Sequence, residues 1–346
     1  METLARFTAV EKRYGTRAAV DGLSFAIPTG SVTGLLGPNG AGKTTCLRML
    51  LGLARLDGGT IDLLGTSPGR PGFASVLRRV GALIEGPALY ERASARDNLR
   101  IEAAARGLCP DRAAVDDLLE TVGLTERADG RVGAFSLGMR KRLGVALALV
   151  GSPRLVVLDE PTNGLDPAGI VEMRAMIARL PARGTTVLVS SHLLAEVQLM
   201  CDRAVIIDRG GLIAEGAMAE LLGPDGGFRV EVAPDEVTRA IDALERAGAQ
   251  VDAREEGELT VTGPFEDGSD VSRLLAQAGI YVRALQPRSS SLEEVFLELT
   301  NGSSIPSGDL PGSGARPSGA PRTAAASIPP PPPPPPPAGA SAQGGR

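Results

Sequence analysis

Residues Gly37 to Thr45 read GPNGAGKTT directly after the apolar run Val32 to Leu36, and no other segment constrains the fold of this chain as strongly. Glycines lack the Cβ that would keep a backbone away from an anion, so a glycine-rich loop can wrap one. The spacing G-x-x-x-x-G-K-T behind a strand is that of a phosphate-binding loop: Lys43 reaches the outer phosphate oxygens and the Thr44 hydroxyl holds Mg2+. A helix opening near Lys43 adds the aligned amides of its N-terminus. Gly37, Pro38, Asn39, Gly40, Ala41, Gly42, Lys43, Thr44 and Thr45 are therefore candidates to line a nucleoside triphosphate. The strand-loop-helix unit they require predicts an α/β fold of the P-loop NTPase class.

Composition narrows the partners. The chain has 346 residues, of which 43% are hydrophobic, enough for one large and one small domain. Lys12, Lys43 and Lys141 are the only lysines, so Arg carries almost all the positive charge. A formal charge of -5 gives no general electrostatic reason to expect a nucleic-acid partner. Cys46, Cys109 and Cys201 are scattered, without metal-ligand spacing or a disulfide framework. No run approaches the roughly 18 apolar residues of a membrane span, and the opening METLARFTAVEKRYG has no apolar signal core.

Three regions follow along the chain. Residues 1–225 alternate strand-like and helix-like runs. Phe25 to Pro28, Val32 to Leu36, Leu155 to Leu158, Thr185 to Ser190 and Ala204 to Ile207 read as short buried strands of a mixed or parallel sheet. Asp97 to Ala105, Ala113 to Val122 and Lys141 to Val150 read as helices, the second stopped by Gly123. Residues 226–300 form a small α/β domain in the order β-α-β-α-β-α, its last helix, Leu292 to Leu299, started by a Ser291/Glu294 capping box. Residues 301–346 are rich in Gly, Ser and Pro and end in a proline run from Pro329 to Pro337. That composition predicts a disordered tail, either a plain flexible extension or a ligand for an aromatic-lined proline-recognition domain.

The segment LVVLDEP, Leu155 to Pro161, supplies the second half of a hydrolytic site. Asp159 at the end of its apolar strand is placed to reach the metal beneath Thr44, and Glu160 to polarise the attacking water or to orient it. The bland alternative is that the two acids cap a neighbouring helix. His192, the only histidine, follows the strand-like TTVLVSS and so reaches the same sheet edge, where an imidazole can bond the γ-phosphate or hold the water. Taken alone it would be read as a surface histidine.

With these motifs in order, residues 4–222 resemble the ATP-binding subunit of ABC transporters. The segment FSLGMRKRL, Phe135 to Leu143, looks like the family's signature, so the resemblance implies that Ser136 and Gly138 face the γ-phosphate held by a partner subunit. It implies two ATPase subunits arranged head to tail, with ATP and Mg2+ at each composite site. Tyr14 in KRYG resembles the residue that stacks on adenine, and is otherwise a sheet-packing tyrosine. The run NGLD, Asn163 to Asp166, looks like the loop that crosses the dimer interface.

Two departures point to a branch. Leu137 and Met139 stand where the usual signature, Ser-Gly-Gly-Gln, has its first glycine and its glutamine. Glu85, in GALIEGPALY, stands where a metal-binding glutamine is usual. Glu85 and the ending SLEEVFLELT resemble the bacitracin-resistance and antibiotic self-resistance exporters. The resemblance implies efflux of a drug or lipid-like molecule through a separate integral membrane permease, with this chain peripheral on the cytoplasmic face. The segment from Asp97 to Gly123 and the loop at Glu85 would transmit the motion. A soluble ATPase acting on ribosomes is the alternative, although such members carry two cassettes and this chain carries one. A DNA-repair ATPase would need a long coiled-coil insertion, and a non-hydrolytic nucleotide switch would leave Glu160 and His192 idle.

Overall fold

The computed structural model describes residues 2–222, 227–253, 257–265, 267–287 and 291–301. The proline-rich tail lies outside them. The described residues fall in one compact unit.

The first part of the chain runs β1 (Thr3–Tyr14), β2 (Arg17–Pro28), β3 (Val32–Leu36), α1 (Lys43–Leu50), β4 (Gly58–Leu63), α2 (Phe73–Leu77), β5 (Val80–Leu83), α3 (Ala95–Ala105), α4 (Arg112–Thr121) and α5 (Leu137–Leu149). It continues through β6 (Leu155–Asp159), α6 (Pro167–Arg179), β7 (Thr186–Ser191), α7 (Leu194–Gln198), β8 (Arg203–Asp208), β9 (Gly211–Ala217) and α8 (Met218–Leu222). Five parallel strands and one antiparallel edge strand form the central sheet, in the order β5-β6-β7-β3-β8-β9.

This sheet is covered on both faces, which is why its strands are continuous apolar runs rather than alternating ones. The alternation survives in which core each residue joins. Val156, Leu158, Val187 and Val189 pack with α3 to α6 in one core, whereas Leu155, Val157 and Leu188 pack with β1, β2 and α1 in the other. Cys46 and Cys201 are buried, and burial pushes both thiols up, Cys46 to about 12.

Two sequence expectations are corrected here. Phe25 to Pro28 is the end of the long strand β2, and it lies in a separate antiparallel sheet, β2-β1-β4, not in the parallel one. The helix expected from Lys141 begins at Leu137, because the Ser136 hydroxyl accepts the Met139 amide at 3.2 Å and caps it one turn earlier.

The second part comprises β10 (Phe228–Glu231), α9 (Val237–Arg246), β11 (Gln250–Ala253), β12 (Glu258–Thr262), α10 (Gly268–Gln277), β13 (Ala284–Pro287) and α11 (Leu292–Asn301). Strand β11 was not expected. With it the order is β-α-β-β-α-β in an antiparallel sheet β11-β12-β10-β13, a split β-α-β or ferredoxin-like arrangement. Its core, built on Val230, Leu244, Leu259, Val261, Val271 and Leu275, is separate from the other two.

Helix α11 leaves this small core. Leu292 is fully buried in the core beneath the central sheet, and its amide donates to Gln198 Oε1 of α7 at 3.1 Å. The expected capping box at its start is present: Ser291 Oγ accepts the Glu294 amide at 3.1 Å, and Glu294 Oε2 accepts the Ser291 amide at 3.4 Å.

Candidate active site

The C-terminal ends of β3, β6 and β7 are neighbours in one parallel sheet, so the loops after them meet at one edge. This is where ligands bind in open α/β sheets. The loop after β3 carries Gly37 at φ 156°, Gly40 at 85° and Gly42 at 107°. At Gly42 a Cβ would lie 2.4 Å from the Ala19 carbonyl oxygen, and at Gly37 2.2 Å from that of Ile207. Both positions therefore exclude any side chain, for steric as well as conformational reasons.

The side chains brought to this edge form a connected set. Lys43 Nζ donates to the carbonyls of Gly37 at 2.7 Å and Pro38 at 3.3 Å, and lies 3.4 Å from Glu160 Oε1. Glu160 Oε2 is 2.8 Å from His192 Nδ1, so one carboxylate bridges the lysine and the histidine. Thr44 Oγ1 donates to Asp159 Oδ2 at 3.0 Å, and Ser190 Oγ to Asp159 Oδ1 at 2.5 Å. The Glu160 amide donates to Ser190 Oγ at 3.0 Å and to the Ser190 carbonyl at 3.2 Å. Glu160 itself has φ 49°, the left-handed region that a non-glycine residue occupies only when its surroundings hold it there.

A cleft of about 410 Å³ opens in front of this set, lined by Tyr14, Arg17, Asn39, Gly40, Lys43, Thr44, Thr45 and Glu160 among others. Tyr14 stands half-exposed at its mouth with Lys12 Nζ 5.3 Å from the ring centroid, so it is not a packing residue of the sheet. A flat aromatic face there suits a purine. The hydroxyl and carboxylate of Thr44 and Asp159 are hard oxygen donors already in contact, and they fit Mg2+, which takes few protein ligands and completes its shell with water and phosphate.

Four expected site residues lie outside this set. Glu85, at φ 62°, pairs with Arg48 on α1 rather than with the Thr44–Asp159 pair, and it does not line the cleft. Asp166 caps α6, its Oδ1 accepting the Gly169 amide at 3.1 Å. Ser136 and Gly138 sit at the start of α5, outside the cleft formed by the phosphate loop. Among the residues that do join the set, Ser190 and Lys141, whose Nζ donates to the Glu160 carbonyl at 3.2 Å, were not anticipated. The small polar ending of the strand VSSH was the signal for Ser190, and the scarcity of lysine was the signal for Lys141.

Comparison with known proteins agrees with this geometry. The family model described as ABC transporter matches residues 20–163, and a domain of unknown function matches 228–293. The bacitracin transport ATP-binding protein BcrA of Bacillus licheniformis is 36% identical over 308 residues, which is 88% of this chain and 100% of that protein. The Nod factor export ATP-binding protein I of Burkholderia orbicola is 40% identical over 298 residues, 85% of this chain and 96% of the relative. Relatives of such different cargo at similar identity do not single out the bacitracin-resistance branch. Among solved structures, cbiO1 of Clostridium perfringens, part of the ABC transporter complex cbiONQ, superposes with a TM-score of 0.60 at 25% identity, covering 72% of this chain and 98% of that one. Among the described residues no helix is long and apolar enough to cross a membrane. The chain belongs to the ATP-binding, ATP-hydrolysing subunits of ABC transporters.

Proposed function

We propose that this chain drives an exporter, hydrolysing ATP at two composite sites formed with a second ATPase subunit head to tail and passing the motion to a separate integral membrane permease. The cargo class that fits the relatives is a drug or lipid-like molecule, since the similar proteins are described as acting in bacitracin transport and Nod factor export. What carries the hydrolytic part is the bridging of Glu160 between Lys43 and His192 at 3.4 and 2.8 Å.

In this reading the glycine loop and Lys43 bind the triphosphate, with Tyr14 against the base. Mg2+ held by Thr44 and Asp159 would neutralise charge on the β- and γ-phosphates. Arrival of the γ-phosphate gives the Lys43 ammonium a stronger partner than Glu160 and frees that carboxylate for a water. Glu160 then accepts the water's proton as the water oxygen bonds to Pγ and the bond from Pγ to the bridging oxygen breaks, leaving ADP and phosphate. His192 holds the Glu160 carboxylate in place. Ser136 and Gly138 of the second subunit would bind the same γ-phosphate through a helix N-terminus, and its loss on hydrolysis reopens the pair.

The test of the transport reading is purification of the full-length, tagged chain from detergent-solubilised native membranes. Recovery with a polytopic membrane protein is expected. Recovery with ribosomes and no polytopic protein would contradict it.

A further inference from the structure

Lys141 lies on α5 one turn beyond Gly138, and among the described residues its ammonium group forms no ion pair within hydrogen-bonding distance of a carboxylate. It donates to two main-chain carbonyls, that of Glu160 at 3.2 Å and that of Asn163. The same face of α5 touches the rest of that loop. A Cβ at Gly164 would lie 3.4 Å from Leu137 Cδ2, and one at Gly138 would lie 3.8 Å from Leu165 Cδ2. Leu137, Gly138 and Lys141 thus seat the loop from Glu160 to Leu165 on the first turns of the signature helix.

Glu160 needs such a seat because its backbone is in the left-handed region. Its amide is fixed from the β7 side by Ser190. Its carbonyl is fixed from the α5 side by Lys141. A compact ammonium with three donors suits two converging carbonyls, whereas the planar guanidinium spreads its donors. Arg serves everywhere else in this chain; of the three lysines, Lys43 lies in the phosphate loop and Lys141 behind Glu160, while Lys12 pairs with Asp57 at 3.1 Å. Burial pushes the Lys141 pKa down, against the opposing charge of Glu160.

We infer that Lys141 is a positioning residue for hydrolysis: it holds the Glu160 peptide from the signature helix, so the carboxylate is aimed only while the first turns of α5 are docked on its loop. The inference rests on Glu160 being the proton acceptor. It links the helix that meets the second subunit's nucleotide to the glutamate of its own site.

Steady-state ATP hydrolysis by the full-length chain tests it. K141M keeps the apolar stem and removes the donors, and is expected to lower kcat about tenfold with KM for ATP within about twofold of wild type and an unchanged melting temperature. K141Q, shorter but still able to donate to one carbonyl, is expected to lose no more than about threefold. A K141M kcat within twofold of wild type, or a KM that rises as kcat falls, would overturn the inference. Should K141M not fold, K141R decides: its fork cannot converge on both carbonyls, so a lower kcat at unchanged KM supports the role and a wild-type kcat overturns it. E160Q measured alongside separates the two readings. Wild-type turnover by E160Q would remove Glu160 as acceptor and the inference with it, whereas an inactive E160Q beside a fully active K141M would remove only the role of Lys141.

Discussion

The end of β6 and the start of α5 both serve the proposed hydrolysis, yet they are finished to different degrees. At the end of β6 the side chains are paired with one another: Lys43 with Glu160, Glu160 with His192, and Asp159 with Thr44 and Ser190. At the start of α5 the Ser136 hydroxyl is used only by its own helix, Leu137 is half exposed, and the nearest atoms to a Cβ at Gly138 would stand at 3.8 and 3.9 Å. In the proposed function the first region is the catalytic end, which a triphosphate enters by displacing internal partners. The second is a helix N-terminus with room around it and no charge to answer, which is the form of a site that completes another chain's.

The largest expected effect breaks the first region without touching the second. E160Q removes the proton acceptor while leaving the glycine loop intact, so kcat is expected to fall by about 10² to 10⁴ with binding of a fluorescent ATP analogue retained, measured by phosphate release and by titration. Much smaller is the effect expected at Glu85. Its carboxylate pairs with Arg48 and does not line the cleft, so E85Q is expected to leave kcat and the Mg2+ requirement within about threefold of wild type, in the range of an exposed ion pair. A large rise in the Mg2+ concentration needed for turnover would instead return Glu85 to the metal.

The difference between these regions also explains what was legible in the sequence. The glycine loop, Asp159, Glu160 and His192 are read from local pattern because each follows a continuous apolar strand, and parallel strands put their ends at one edge. The partner of Glu85 was not legible, since Arg48 lies far away in the sequence and the pairing depends on how α1 packs. The antiparallel sheet was missed because β1 and β2 mix exposed and buried residues irregularly, with register shifts between Phe7 and Val10 and again at Lys12. In the small unit β11 is four residues long with one half-buried side chain, too weak a signal to be seen. Helix α11 was read correctly as a helix, but its docking on α7, the helix that follows His192, depends on tertiary packing alone.

The central claim is that the two regions work across a pair of chains, and subunit mixing tests it. K43A spoils the phosphate loop and S136E puts a carboxylate in the signature, so neither variant alone has an intact composite site. A K43A chain paired head to tail with an S136E chain restores one. Mixing equal amounts is expected to recover about one quarter of wild-type ATP hydrolysis, because half of the pairs are mixed and each holds one working site of two. Hydrolysis that stays at the sum of the two separate variants would contradict the account.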